Sequence, residues 1–285
     1  MMTERAQGFR RNLANTMIDP DQQAHLDEFG YVVIDLLTDS QVQELRVLAD
    51  ACFDLPEHGF QASNVAHNFA YRQAVQESVG PILSRYSTPA LDNYRAVNAF
   101  AIHKFPGEDT GFLVHQDWNV VDEQKYRGIN LWCPLVDTLD KNGGLVVLPR
   151  SHRKVEAVRC DPDFPSWYTA PGFQVRWDEM VPLDIRAGQA VIFDHALVHG
   201  SVPNTTDEVR VAVALVMAPV EAPLLHWHLA DLDSDELEIM SIDDEFYCSF
   251  KAGVRPDYPV VGRSKFRPDG FDRDELLKRC AEDSV

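Results

Sequence analysis

A chain of 285 residues that is 45% hydrophobic has the length and apolar content for one large domain with a substantial core. Its 45 acidic residues outnumber 26 basic ones, and a formal net charge of -19 argues against nucleic acid or an anionic membrane surface as the main partner. No apolar run of about 18 residues could span a bilayer, no apolar leader follows Met1, and Cys52, Cys133, Cys160, Cys248 and Cys280 are scattered without the CxxC spacing of a structural zinc site or the pattern of a disulfide framework.

Such a chain is expected in the cytoplasm with its thiols reduced. Residues 1–18 read as a loose lead-in. Asp19-Pro20 caps a short helix that Gly30 stops, Tyr31–Asp35 reads as a strand, and Thr38–Phe53 reads as a helix with Val42, Leu45, Ala49 and Cys52 on one face. Residues 54–94, broken by Pro56, Gly59, Gly80, Pro81 and Pro89, are ambiguous. Short strands then follow at 95–104, 128–136, 145–148, 183–185, 190–193 and 209–217, separated by Pro106-Gly107, Asn142-Gly143-Gly144 and similar turns. That rhythm predicts a mainly β domain, a sandwich, barrel or jelly roll, over residues 1–285. Residues 221–285 form a C-terminal extension in which 231–245 carry eight acids and no base, read as a solvated surface or a lid, and 272–281 read as a terminal helix.

The chemistry concentrates in His115-Gln116-Asp117, His199-Gly-Ser201 and Arg210. Two imidazoles and one carboxylate make the facial set that holds Fe(II) and leaves positions open for a cosubstrate and O2. On an extended segment His115 and Asp117 point to one side, and Gln116 points away. Arg210 sits in Val209-Arg-Val-Ala-Val-Ala-Leu215. There Val209, Val211, Val213 and Leu215 share one face, and Arg210 shares the other with the small Ala212 and Ala214. A guanidinium on so apolar a strand needs a partner, and a bound carboxylate provides one. An iron site plus a carboxylate anchor points to an oxygenase that uses a 2-oxo acid. His195 and His199 lie four apart, so strand geometry alone leaves both open as the third ligand.

The ordered motifs resemble the phytanoyl-CoA dioxygenase family of Fe(II)/2-oxoglutarate oxygenases. The likeness runs through Glu28-Phe-Gly-Tyr-Val-Val-Ile-Asp35 and the helix after it, Lys104-Phe-Pro-Gly107, His115-Gln-Asp117, Trp132 to Leu145 with Asn142-Gly143, Leu148-Pro-Arg-Ser-His152, and His199-x-Ser201 with Arg210 eleven residues beyond the histidine. Arg150 departs from the pattern, standing where the family has glycine.

The resemblance implies a double-stranded β-helix, a cupin-like jelly roll with flanking helices, and Fe(II), 2-oxoglutarate and O2 as requirements, with succinate and CO2 released. By family spacing His199 rather than His195 completes the metal set. Arg210 and Ser201 would hold the far carboxylate of 2-oxoglutarate, and Trp132 would wall its pocket. Asn98 could hydrogen-bond the cosubstrate, and Lys104 could join it or be an ordinary surface lysine. Phe112, Trp118, Asn119, Tyr126 and Arg150 are candidates to touch substrate.

His226-Trp-His228, with no carboxylate nearby in sequence, reads as polar surface rather than a second metal site. Asp117 fills the position that related halogenases vacate for chloride, so halogenation is rejected. The intact set also disfavours a cupin-like binding protein without turnover. The expected reaction is hydroxylation of a small natural-product or amino-acid-like molecule. Desaturation, cyclisation, epimerisation or an acyl-CoA substrate are the alternatives, and the oligomeric state is open.

Overall fold

The computed structural model describes residues 13–154, 158–161, 175–229, 236–265 and 273–282. The first helix, α1 (Pro20–Phe29), forms where its caps require. Asp19 accepts from the amides of Asp21 and Gln22 at 2.9 and 3.0 Å, and Gly30 closes the other end at φ 85°. Residues 1–12 of the expected lead-in lie outside the described residues. The rest of it is not loose: Thr16 and Met17 are buried, and both their amides donate to Gln23.

Strand β1 (Tyr31–Asp35) leads to α2 (Asp39–Cys52), whose Val42, Leu45 and Ala49 are buried, as the periodicity predicts. The ambiguous stretch resolves into β2 (Phe60–Ala62) and α3 (Phe69–Ser87). That helix runs through Pro81, because Tyr71, Val75, Val79 and Leu83 bury a continuous stripe that outweighs the lost backbone bond.

The strands that follow are β3 (Tyr94–Lys104), β4 (Phe112–His115), β5 (Ile129–Pro134), β6 (Leu145–Val147), β7 (Val181–Pro182), β8 (Gln189–Asp194), β9 (His199–Ser201) and β10 (Arg210–Pro219). The strand expected at 183–185 is displaced to β7, leaving Ile185 in an isolated bridge to Thr138. Six strands pair in the order β1-β8-β5-β10-β3-β2 and four in the order β4-β9-β6-β7, all antiparallel.

Alternation on β10 divides the core. Val211, Val213 and Leu215 pack with Val42, Leu45, Val75 and Leu83 of the helices. Ala212 and Ala214 face Phe100, Trp132, Leu145, Val147 and Phe193, a layer drawn from both sheets. Two antiparallel sheets closing on a shared apolar layer, with helices against the outer face of the larger, make the jelly-roll core. Both faces of β5 are therefore covered, and all six of its residues are buried.

Beyond the core, β11 (Leu225–Leu229), β12 (Glu236–Ser241) and β13 (Val260–Lys265) form a third antiparallel sheet, with α4 (Phe246–Ser249) between the last two strands and α5 (Arg273–Glu282) near the end. The acidic stretch at 231–245 is thus not simply a solvated surface. Residues 230–235 lie outside the described residues, and β12 is the central strand of its sheet, with Glu238 ion-paired to Arg255 and Arg263. No helix among the described residues is long and apolar enough to cross a membrane.

Candidate active site

The pairing of β4 with β9 sets His115 opposite His199. Asp117 follows just past the end of β4, its amide donating to the carbonyl of His195 at 2.9 Å. Each histidine is oriented by its own chain: Nδ1 of His115 contacts Leu113 O at 2.8 Å, and Nδ1 of His199 contacts Leu197 O at 3.0 Å. A carbonyl can only accept, so Nδ1 carries the proton and Nε2 presents a lone pair. Those Nε2 atoms lie 3.6 and 3.8 Å from Oδ1 and Oδ2 of Asp117. Two ligands bound to one ion at about 2.0–2.2 Å stand roughly 3–3.5 Å apart, so small shifts would close the set on a cation. Burial opposes the charge on Asp117, but His199 and then His115 outweigh it and hold the carboxyl well below its ordinary range. Burial, then neighbouring His115, pushes His199 down to about 4, so its imidazole is neutral near pH 7.

Arg210 opens β10 and faces Lys104 in register on β3. Its guanidinium is 2% exposed and lies 5.4 Å from the ring centre of Trp132. Nη2 donates to Gly143 O at 3.1 Å, while Nε and Nη1 are enclosed without a hydrogen-bond partner among the described residues. Burial pushes Arg210 down to about 9, which leaves it charged at neutral pH. Such a cation fits a carboxylate that arrives with a ligand.

Lys104 is no surface residue: it is fully buried, and its Nζ donates to Ser201 Oγ at 2.6 Å and Val202 O at 2.7 Å. Burial, and then the charge of Arg210, pushes it down to about 6. Gly143 lets this packing happen. It sits at φ 86°, and a Cβ there would stand 2.3 Å from Cδ of Lys104.

A cavity of about 510 Å³ joins these groups. His115, Asp117, His199, Arg210, Ser201, Trp132 and Asn98 all line it, and Phe60, Phe100, Phe112, Trp118, Val120 and Val216 give it apolar walls. Among the described residues that line it, Arg210 is the one arginine or lysine.

Three substrate candidates do not reach the cavity. Asn119 turns its Oδ1 to the amide of Arg159 at 2.8 Å, and Tyr126 packs in the apolar cluster around Val120 and Val121. Arg150 adopts φ 70°, the left-handed conformation that explains the family's glycine, and sends its guanidinium to Glu28 at 2.7 Å and over Phe29. Gln116 donates to Ala196 O, away from the metal set.

Sequence reasoning missed two neighbours. Asn130 donates to Asp117 Oδ2 at 2.7 Å, and the signal was its place two residues before Trp132 on the same strand face. Arg159 donates to the backbone carbonyl of Asp117 at 2.6 Å and is held by Glu123, which no local pattern reveals. His195 lines the cavity with both ring nitrogens enclosed and without a hydrogen-bond partner among the described residues, and it lies outside the cluster that His115, Asp117 and His199 form.

The model of the phytanoyl-CoA dioxygenase (PhyH) family matches residues 46–212, more than half of the chain. Phytanoyl-CoA dioxygenase 1 of Oryza sativa subsp. japonica is 28% identical over 140 residues, 48% of this chain and 47% of that protein. Ectoine dioxygenase of Nocardia farcinica (strain IFM 10152) is 32% identical over 143 residues, 44% of this chain and 48% of that protein. The chain thus spans about half the length of the curated relatives it matches. Among solved structures, EvdO2 of Micromonospora carbonacea var. aurantiaca complexed with 2-oxoglutarate is 21% identical, with a TM-score of 0.56 over 76% of this chain and 96% of that one. The epimerase SnoN in complex with Fe3+, alpha ketoglutarate and nogalamycin RO is 18% identical, with a TM-score of 0.52 over 88% and 96% of the two chains. At those identities the likeness establishes the shared fold. Taken with the match to its model, the chain belongs to the phytanoyl-CoA dioxygenase family.

Proposed function

We propose that the protein is an Fe(II)- and 2-oxoglutarate-dependent dioxygenase that hydroxylates a C–H bond of a small organic molecule. The observation that carries this reading is the pairing of the His115, Asp117 and His199 cluster with the buried, carboxylate-seeking Arg210 in one cavity. Two imidazoles and one carboxylate suit Fe(II), and the guanidinium beside Ser201 suits the far end of a dicarboxylate. When bound, iron and 2-oxoglutarate supply the O2-dependent oxidation, with succinate and CO2 released.

The residues of the chain position and shield. Leu113 O and Leu197 O fix the histidine tautomers, and Asn130 steadies Asp117. Arg210 and Ser201 orient the cosubstrate, while the phenyl and indole walls exclude water around the substrate carbon. Aromatic walls with few polar groups favour a natural-product or amino-acid-like molecule held by apolar contact and a few hydrogen bonds. A CoA thioester, with its several phosphates, is disfavoured because Arg210 is the one arginine or lysine lining the cavity among the described residues.

The test is succinate release from 2-oxoglutarate with Fe(II), screened across free amino acids, polyketide and terpenoid scaffolds, and acyl-CoAs. Substrate-triggered succinate with one oxygen gained by the product is expected from a free small molecule. Coupled turnover with acyl-CoA alone would overturn the substrate class, and no Fe(II)-dependent succinate would overturn the reading itself. A product that has lost two hydrogens, or kept its mass with inverted configuration, would replace hydroxylation by desaturation or epimerisation.

A further inference from the structure

A second cluster of metal-ligating side chains lies apart from the iron set. Strand β11 places His226 and His228 two residues apart, hence on one face. Asp161 joins them through a short parallel bridge: its amide donates to Trp227 O at 3.0 Å, and its carbonyl accepts from the amide of Leu229 at 2.8 Å. Asp161 and His226 lie 65 positions apart in sequence, which gave no hint of the meeting. All three residues are buried, at 2–4% exposure, so the expectation of polar surface is wrong.

We propose that Asp161, His226 and His228 hold a divalent transition-metal ion of the zinc or iron(II) class, distinct from the one at His115, Asp117 and His199. One ligand atom from each residue lies within 4.8 Å of the other two. Nδ1 of His228 stands 3.4 Å from Oδ2 of Asp161. That matches the edge of a tetrahedron with metal–ligand distances of about 2.1 Å, roughly 3.4 Å. The same contact is not aligned as a hydrogen bond, and Nε2 of His226 is likewise enclosed with no hydrogen-bond partner among the described residues. Two enclosed, unpartnered ring nitrogens in a cluster with a buried carboxylate are costly without an occupant, and a cation satisfies all three.

The position gives the ion a task. Both oxygens of Asp161 also accept from the amide of Gly253, at 2.9 and 3.0 Å, and Asp161 and Gly253 line the cavity. Arg159, two residues before Asp161, grips the backbone carbonyl of Asp117. A metal here pins β11, the 158–161 segment and the Gly253 turn together as one wall of the substrate cavity.

The inference does not depend on the oxygenase reading, and metal counting separates the two. Full-length protein equilibrated with Zn(II) and freed of excess metal should carry two ions per chain by elemental analysis. The His226→Ala/His228→Ala pair should carry one, and the His115→Ala/Asp117→Ala pair should carry the other. A single ion in the wild type, lost only with His226 and His228, would uphold the new site and sink the first. A single ion lost only with His115 and Asp117, or two ions retained by the His226/His228 variant, would overturn the proposal. If that variant does not fold by circular dichroism, a Zn(II)-soaked wild-type crystal measured on both sides of the zinc absorption edge decides. An anomalous peak bounded by His226, His228 and Asp161 is expected, and its absence, or a water in its place, refutes the site.

Discussion

Lys104 and Arg210 stand opposite each other on the β3–β10 ladder, two buried basic side chains with no carboxylate in ion-pair reach among the described residues. Placing two such groups together opposes folding unless something anionic joins them. For Arg210→Ala, the 2-oxoglutarate affinity should fall by about 2–5 kcal/mol, roughly 30-fold to several thousandfold, with Fe(II) binding retained. Titration of the anaerobic Fe(II) protein with 2-oxoglutarate measures this, and an unchanged affinity removes Arg210 from the role.

Lys104 sets a pH dependence whose sign follows from its depressed pKa of about 6. Unfolded, it holds its proton up to about 10.4, so between those values the unfolded chain binds more protons and its contribution makes stability rise with pH. Below about pH 6 both states are protonated and the slope vanishes. A bound dicarboxylate favours the charged amine, so 2-oxoglutarate binding near pH 8 should take up as much as one proton. Calorimetry in buffers of different ionisation enthalpy should detect the uptake in wild type and lose it in Lys104→Met. Equal uptake in both proteins would clear Lys104 of the effect.

His199 and His195 separate by what their nitrogens touch. His199 has its Nδ1 on Leu197 O and its Nε2 beside Asp117, whereas both ring nitrogens of His195 lack a hydrogen-bond partner among the described residues. His199→Ala should abolish Fe(II) binding and turnover. His195→Ala should keep one Fe(II) at the first site while lowering the coupling of succinate release to product. The reverse pattern in metal content would transfer the ligand role to His195.

Much of this was legible along the chain because its causes are local. Asp19, Pro20 and Gly30 delimit α1 by capping chemistry, and the alternation of Arg210 with Ala212 and Ala214 marks out the inward face of β10. The grouping of His115 with Asp117 was legible through their spacing of two, and the fold brings His199 to them. What stayed hidden depends on distant meetings. Pro81 is tolerated because packing on the sheet outweighs a local rule, and Asp161 reaches His228 only through the fold. Arg150 occupies a left-handed position that sequence marks only by the glycine it replaces, and its long side chain finds Glu28 rather than the cavity. Asn119 and Tyr126 sit near the metal motif in sequence, but the chain turns there and points them elsewhere.

Gly143 tests how tightly the cosubstrate end is packed. Gly59 and Gly143 both have positive φ, at 71° and 86°, but a Cβ at Gly59 meets nothing within 4 Å while one at Gly143 meets Lys104. An alanine at either position carries backbone strain of about 1–3 kcal/mol. Gly143→Ala should lower the melting temperature further than Gly59→Ala, because Lys104 is fixed by two hydrogen bonds and cannot swing aside freely. Gly143→Ala alone should also weaken 2-oxoglutarate binding, since Gly143 O is a partner of Arg210. Equal melting and equal affinity in the two variants would mean that the crowding has no energetic weight.

The ion pair behind the metal set should govern both stability and iron affinity. Arg159 donates from Nη1 to Glu123 Oε2 at 2.8 Å and from Nη2 to Oε1 at 2.5 Å, a two-pronged pair 5% and 7% exposed. Its Nε holds Asp117 O at 2.6 Å, so the pair sets the backbone that carries the Asp117 carboxylate. Glu123→Ala strips the guanidinium of a two-pronged counter-charge in a dry site, at a cost of about 3–5 kcal/mol. At about 2–3 °C per kcal/mol for a chain of this size, the melting temperature should fall by roughly 6–15 °C. Glu123→Gln keeps the shape and part of the hydrogen bonding, so its loss should be smaller. Fe(II) affinity should follow the same order, wild type above Gln above Ala, because a loosened Arg159 lets the Asp117 backbone drift. Thermal melts and Fe(II) titrations on the three proteins check both halves. A Glu123→Ala protein that melts with the wild type would show that the pair adds nothing to stability, and one that melts early yet binds iron as tightly would sever it from the metal site.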